Sequence, residues 1–247
     1  MRSFKLEICL DSVESALIAQ NAGADRIELC AALNVGGITP SAGMLRRVRE
    51  LLRIPLMVMI RPRGGDFCYS EQELEVMHAE IALAKEYGAD GVVLGILTPE
   101  GSVDVPRTRE LVELARPLSV TFHRALDLTR DPFAALEDVI QCGAERILTS
   151  GQAATALEGL PLITALVEKA SGRISIMPGV GINAGNIRSF LQIQGISEVH
   201  MSASGSVDSP MTHRPEGVSF NSSEPPNEYL IARTDSAKIR QIKELKI

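Results

Sequence analysis

Two short phrases near the start of the chain pair a carboxylate with a thiol at the same spacing: Glu7-Ile-Cys9 and Glu28-Leu-Cys30. On a strand, residues two apart share a face, so each phrase presents an acid and a sulfur together. If the phrases stand on neighbouring strands, roughly 4.8 Å apart, the two sulfurs can approach each other near one end of the sheet. Two thiolates, with Met57 or Met59 as a thioether, suit a soft cation such as copper(I). Zinc(II) wants four ligands, and His123 and His200 are available to complete them. The competing reading is that Cys9 and Cys30 pack as small hydrophobes, cysteine being among the most often buried residue types.

A second set of groups carries nitrogen and oxygen. Arg61-Pro-Arg63 precedes the glycine pair Gly64-Gly65, and His123-Arg124 is followed closely by Asp127. Histidine moves protons near neutral pH, and a carboxylate can fix its tautomer. Glu7, Glu28, His123, Asp127 and His200 are therefore candidate acid–base groups, and Arg61, Arg63 and Arg124 candidate ligands for a small anion. Gly179 and Gly181 lie in the turn Pro178-Gly-Val-Gly181, and Ser202 begins Ser202-Ala-Ser-Gly205. In many barrels the two corresponding loops cradle a phosphate with backbone N–H groups. All six lysines (Lys5, Lys85, Lys169, Lys238, Lys243 and Lys246) fall at the bottom of the first strand, on predicted helices or in the tail, which leaves no Schiff-base lysine at a strand end. Walker, HExxH and GxSxG motifs are absent.

The elements that must position these groups follow from periodicity. Strand patterns occur at Leu6–Leu10, Arg26–Cys30, Leu56–Ile60, Gly91–Ile96, Leu118–His123, Arg146–Ser150, Ile174–Met177 and Glu198–Ser202, with helical stretches between them. Helix starts are marked by Asp11 with Glu14 and Ser70 with Glu73 at capping-box spacing, by Ser12, and by Asp131 before Pro132. A phrase of glycine, alanine and an acid recurs at Gly23, Gly88 and Gly143, with a looser copy at Gly195, before every second strand. Eight strands alternating with helices in 247 residues predict an α/β fold, a single-domain (β/α)8 TIM-type barrel spanning 1–247. The alternative, an open doubly wound sheet, would usually offer GxGxxG after the first strand, where Asp11-Ser-Val-Glu14 stands instead. A long Ser- and Pro-rich loop at about 203–227 precedes the last helix and reads as a lid over the barrel mouth.

Strand parity then divides inward from outward side chains. Glu7, Cys9, Glu28, Cys30, Met57, Met59, Arg61, Arg63, Ser119, Thr121, His123, Glu198, His200 and Ser202 share the inward parity, whereas barrel interiors are normally filled with Val, Ile and Leu. Such polarity costs several kcal/mol per group unless paired. It is read either as an internal ion network, with Arg61 and Arg63 neutralising Glu7 and Glu28, or as a working site at the strand ends.

Composition excludes other classes. The net charge of −6 with no basic stripe argues against nucleic acid or an anionic membrane surface. The longest apolar run, Ile54 to Ile60, contains Pro55 and is too short to span a bilayer. Met1 to Lys5 run directly into a strand pattern, without a signal-peptide apolar region. Four cysteines without CxxC spacing predict a reduced, cytoplasmic protein.

Several of these motifs together resemble the copper homeostasis protein CutC family: Leu6-Glu-Ile-Cys9, Arg26-Ile-Glu-Leu-Cys30, Arg61-Pro-Arg-Gly-Gly-Asp-Phe-Cys-Tyr69, Thr121-Phe-His-Arg-Ala125 with Asp127, Leu148-Thr-Ser-Gly151 and Glu198-Val-His200. The resemblance covers nearly the whole chain. It implies a cytosolic TIM-type barrel linked to copper handling, homo-oligomers, and copper ligands at Cys9 and Cys30. Two functions stand side by side. One is a copper homeostasis protein binding copper(I) through thiols at the barrel mouth. The other is a barrel enzyme acting by acid–base chemistry on a small anionic metabolite, such as a phosphorylated one.

Overall fold

Residues 4–215 and 228–245 are described by the computed structural model. Its eight parallel strands are β1 (Lys5–Leu10), β2 (Arg26–Leu29), β3 (Leu56–Met59), β4 (Gly91–Leu94), β5 (Ser119–Phe122), β6 (Arg146–Thr149), β7 (Ser175–Pro178) and β8 (Glu198–Met201). The order β7-β6-β5-β4-β3-β2-β1-β8 brings the outer strands β7 and β8 against each other, so the sheet curls into a nearly closed barrel. The strand before each crossover returns through a helix: α1 (Val13–Ala22), α2 (Ala42–Leu51), α3 (Glu71–Glu86), α4 (Val105–Ala115), α5 (Pro132–Cys142), α6 (Leu160–Ala170) and α7 (Ile187–Leu191), with α8 (Ser236–Lys243) last.

Local chemistry sets these boundaries. Ser70 accepts from the Glu73 N–H while Glu73 accepts from the Ser70 N–H at 2.7 Å, a complete capping box on α3. Asp131 accepts from the N–H groups of Phe133 and Ala134, with Pro132 as the first residue of α5. On α1 the cap is Ser12, which accepts from Ser15. The recurring phrase of glycine, alanine and an acid has a physical cause. Its glycine ends the helix at positive φ, as at Gly23 (99°) and Gly143 (87°). Its acid then reaches the neighbouring strand: Asp25 accepts from Leu6 N at 2.7 Å, Asp90 from Leu56 N at 2.8 Å, and Glu145 from Val120 N at 2.5 Å. Each acid thus ties the start of an even strand to that of the odd strand beside it, at the closed end of the barrel.

Strand alternation separates two apolar regions. Outward residues such as Leu6, Ile8, Ile27, Leu29, Leu56 and Val58 join the helices in one large core. Inside the lumen lies a small cluster of Cys30, Met57, Met59 and Val93. Gly91 makes room for it, since a Cβ there would stand 2.3 Å from Cε of Met57.

One expectation needs correcting. The segment read as the beginning of a long loop forms β9 (Ser204–Asp208), antiparallel to β10 (Leu230–Thr234), which leads directly into α8. Ser204-Gly-Ser-Val-Asp208 has a loop-like composition, and its pairing partner lies more than twenty residues away, so no local pattern reveals it. Residues 216–227 of the expected lid lie outside the described residues.

Candidate metal centre at the barrel mouth

Register decides which inward groups meet. Glu7 stands opposite Arg26 on β2 and His200 on β8; Cys9 stands opposite Glu28, and Glu28 opposite Met57. The two cysteines are therefore offset by one step along the barrel.

The lower layer is an ion network. Arg26 donates to Glu7 and, at 2.6 Å, to Glu198; Arg146 donates to Glu198 at 2.6 Å and to Thr121 Oγ1 at 3.0 Å. Glu7, Glu198, Arg26 and Arg146 are all buried. Burial alone would raise the pKa of Glu7, but the hydrogen bond from His200 and the charge of Arg26 pull it down to about 2. The neutralising guanidiniums are thus Arg26 and Arg146, and neither Arg61 nor Arg63 takes part. Both working arginines were missed in the sequence although Arg26 has the parity of Glu28; each sits on the first residue of its strand, where a surface position is the default reading.

Above this layer the groups change. His200 Nδ1 lies 2.8 Å from Glu7 Oε1, and its Nε2 lies 3.7 Å from Glu28 Oε2. Among the described residues, Cys9, Glu28 and His200 offer donor atoms that all lie within 4.8 Å of one another. Burial disfavours a charged ring at His200, yet Cys9, Glu28 and Glu7 outweigh it and hold the pKa well above the usual histidine range. Glu28 has no guanidinium contact; burial pushes its carboxyl up to about 7, and Oε1 has no hydrogen-bond partner. Cys30 stands at the edge of this group, with Sγ 3.7 Å from Glu28 Oε2 and the side chain packed among Met57, Met59 and Val93. Burial and the Glu28 charge push its thiol well up.

The remaining sequence candidates are distributed around a cavity of about 970 Å³ that Cys9, Glu28, Cys30 and His200 also line. Arg61 lines it, but its Nη1 is held by the carbonyls of Val35 and Gly37 and its Nη2 by that of Gly65. Arg63 is not part of the lining; it turns outward to Glu73 and Asp66. Arg124 lines the rim, donating to Asp127 and to Ser150 Oγ. Asp127 is saturated by Arg124, Thr149, Ser150 and the Gln152 N–H, so it fixes the turn after β6. His123 is buried, and its Nδ1 accepts from the Ala125 N–H at 3.2 Å; the tautomer is set by this backbone contact and not by Asp127. Burial, reinforced by Arg61, pushes its pKa down to about 3. Gly181 and Ser202 line the cavity. Gly179 does steric work: a Cβ there would meet Leu148 at 2.6 Å and Cβ of His200 at 3.3 Å, so its bareness lets β7 close against β8.

A thiol and an imidazole in contact, with the far imidazole nitrogen held by a buried carboxylate, form a donor set that metals use: the carboxylate orients the ring and raises its basicity. Among the described residues, no helix is long and apolar enough to cross a membrane.

The model of the CutC family matches residues 4–205. A human protein named copper homeostasis protein cutC homolog is 52% identical over 239 residues, 97% of this chain and 88% of the relative. A CutC family protein of Pasteurella multocida is 50% identical over 97% of both chains. The crystal structure of a CutC protein from Streptococcus agalactiae superimposes with a TM-score of 0.77 at 34% identity, covering 81% of this chain and 98% of that one. Phosphoribosylanthranilate isomerase of Thermotoga maritima, at 14% identity and a TM-score of 0.57, shares the barrel fold alone.

Proposed function

We propose a function from one premise: this chain belongs to the CutC family, whose named relatives are copper homeostasis proteins. On that premise copper(I) is the cargo of the barrel mouth. Cys9 supplies the thiolate, His200 the imidazole through Nε2, and Cys30 a second sulfur from the edge of the group. Copper(I) is a soft cation that favours sulfur and accepts imidazole. The hard oxygen of Glu28 serves better as charge balance and as the acceptor of a displaced thiol proton. The observation that carries the reading is the convergence of Cys9, Glu28 and His200 within 4.8 Å, with Glu7 behind the ring at 2.8 Å. Ligand protons must leave as the metal binds, and a buried carboxylate beside two thiols gives them somewhere to go. The reading places the protein in the cytoplasm, where thiols stay reduced, and treats assembly into homo-oligomers as part of the family expectation.

A competition titration against a copper(I) chelator tests it. Wild type is expected to bind one copper tightly, Cys9→Ser and His200→Asn to lose that binding, and Cys30→Ser to weaken it. Binding indifferent to Cys9→Ser and His200→Asn would remove the thiol site from consideration.

A further inference from the structure

We propose that the mouth cavity is also a binding site for a small hydroxycarbonyl compound, its carbonyl oxygen accepting the Nε2 hydrogen of His123. A single ion occupies a small part of about 970 Å³. That volume lies at the upper end of the roughly 300–1,000 Å³ typical of organic-ligand pockets, which combine apolar walls with a few placed polar groups. The walls here follow that composition, with Leu33, Met59, Phe67 and Leu148 among the lining residues.

His123 is the placed donor. Because Nδ1 accepts from Ala125, the ring hydrogen is on Nε2, and Nε2 is buried without a partner. An unmatched buried N–H is costly, so its retention on a cavity wall is explained by an acceptor that an occupant brings. The surroundings are built around this ring. Phe67 lies against it with centroids 4.7 Å apart, and a Cβ on Gly95 would stand 2.7 Å from Nδ1, so only glycine leaves space for it. The same tautomer keeps His123 out of the copper group: Nδ1 is committed and Nε2 carries a proton.

The class of ligand follows from what the other polar groups have left. The guanidinium of Arg124 is matched by Asp127 and Ser150, whereas Arg61 gives Nη1 and Nη2 to backbone carbonyls and leaves its buried Nε without a partner, a second donor for an oxygen of the occupant. Glu28 Oε1, on β2 and likewise without a partner, suits a hydroxyl group. Val180, a β-branched residue at φ 78°, also lines the cavity. Such backbone strain persists only where the surroundings enforce it, and it concentrates at ligand sites.

The copper-free full-length protein, with 15N in its histidine rings, tests the proposal with two probes of one carbon skeleton: hydroxyacetone and 1,2-propanediol at equal millimolar concentration. Hydroxyacetone is expected to move the Nε2 resonance of His123 strongly, and the diol, whose hydroxyl oxygens accept hydrogen bonds but which has no carbonyl, to move it less at the same concentration. His123→Phe is expected to weaken hydroxyacetone binding about tenfold, as for the loss of one buried hydrogen bond, while copper(I) affinity in the same variant stays at the wild-type value. Equal responses to the two probes, or unchanged hydroxyacetone binding in His123→Phe, would overturn the proposal. If the variant fails to fold, the wild-type ring resonance decides, and its indifference to hydroxyacetone overturns the proposal equally. Copper titrations report on Cys9, Cys30 and His200, and the ring resonance on His123, so the two readings fail separately.

Discussion

Glu7 and Glu28 occupy equivalent places in two copies of one phrase on adjacent strands, and the barrel puts them in opposite states. Glu7 is clasped by Arg26 and His200 and is held ionised, its pKa pulled down to about 2. Glu28, one layer nearer the mouth, faces Cys9, Cys30 and His200 without a guanidinium and is pushed up to about 7. The lower layer matches its charges and closes the lumen. The upper layer leaves polar atoms of Glu28 and His123 without partners around a cavity. A floor of satisfied ion pairs is therefore the rigid support on which an unsatisfied, and hence receptive, layer rests.

The comparison can be broken most severely at Arg26. Arg26→Met leaves Glu7 and part of Glu198 buried without their cation and is expected to destabilise the fold by about 3–5 kcal/mol, read as a lower denaturant midpoint at unchanged slope. A loss below about 1 kcal/mol would mean that the floor is not held by charge pairing. At the mouth, Gly95→Ala forces a methyl group against the His123 ring and is expected to cost about 1–3 kcal/mol, with a shifted ring resonance as the sign that the imidazole moved. A silent Gly95→Ala would show the ring to be loosely seated.

Proton linkage sharpens the contrast further. His123 has its pKa lowered to about 3 in the fold, against about 6.5 in the unfolded chain. Its neutral form is the one the fold favours, so the contribution is complete above pH 6.5 and is lost as the pH falls from there towards 3. The slope in that window is up to about 1.4 kcal/mol per pH unit. Unfolding midpoints of His123→Phe, followed over pH 6.5 to 4.5, are expected to fall less steeply than those of wild type; parallel curves would show that the ring takes up protons in both states alike. The smallest effect is expected at Glu28. Glu28→Gln removes a carboxylate with no guanidinium to lose, and stability should change by less than about 1 kcal/mol in either direction. A loss matching that of Arg26→Met would erase the distinction between the two layers.

Much of this was legible in the chain itself. The eight strand patterns fall within two residues of the observed strands, as at Arg26–Leu29 and Glu198–Met201. Ser70, Asp131 and the recurring helix-ending glycines announced their boundaries, because a cap is a contact between residues three or four apart. Parity also placed Glu7, Cys9, Glu28, Cys30, His123 and His200 inside the lumen. Arg26 and Arg146 were less visible, since an arginine at the start of a strand reads as a surface residue until the opposite strand supplies Glu198. The β9–β10 ladder had no local signature at all.

What the sequence by itself determined is therefore alternation: which residues form strands, where helices begin, and which side chains turn inward, all properties with a period of two or four residues. What only the tertiary structure decided is neighbourhood. The stagger between β8, β1 and β2 set Cys9 beside Glu28 instead of Cys30, and gave Arg26 to Glu7. Stagger belongs to the closure of the whole barrel, fixed by the summed packing of eight strands and their helices, and no short stretch of chain contains it.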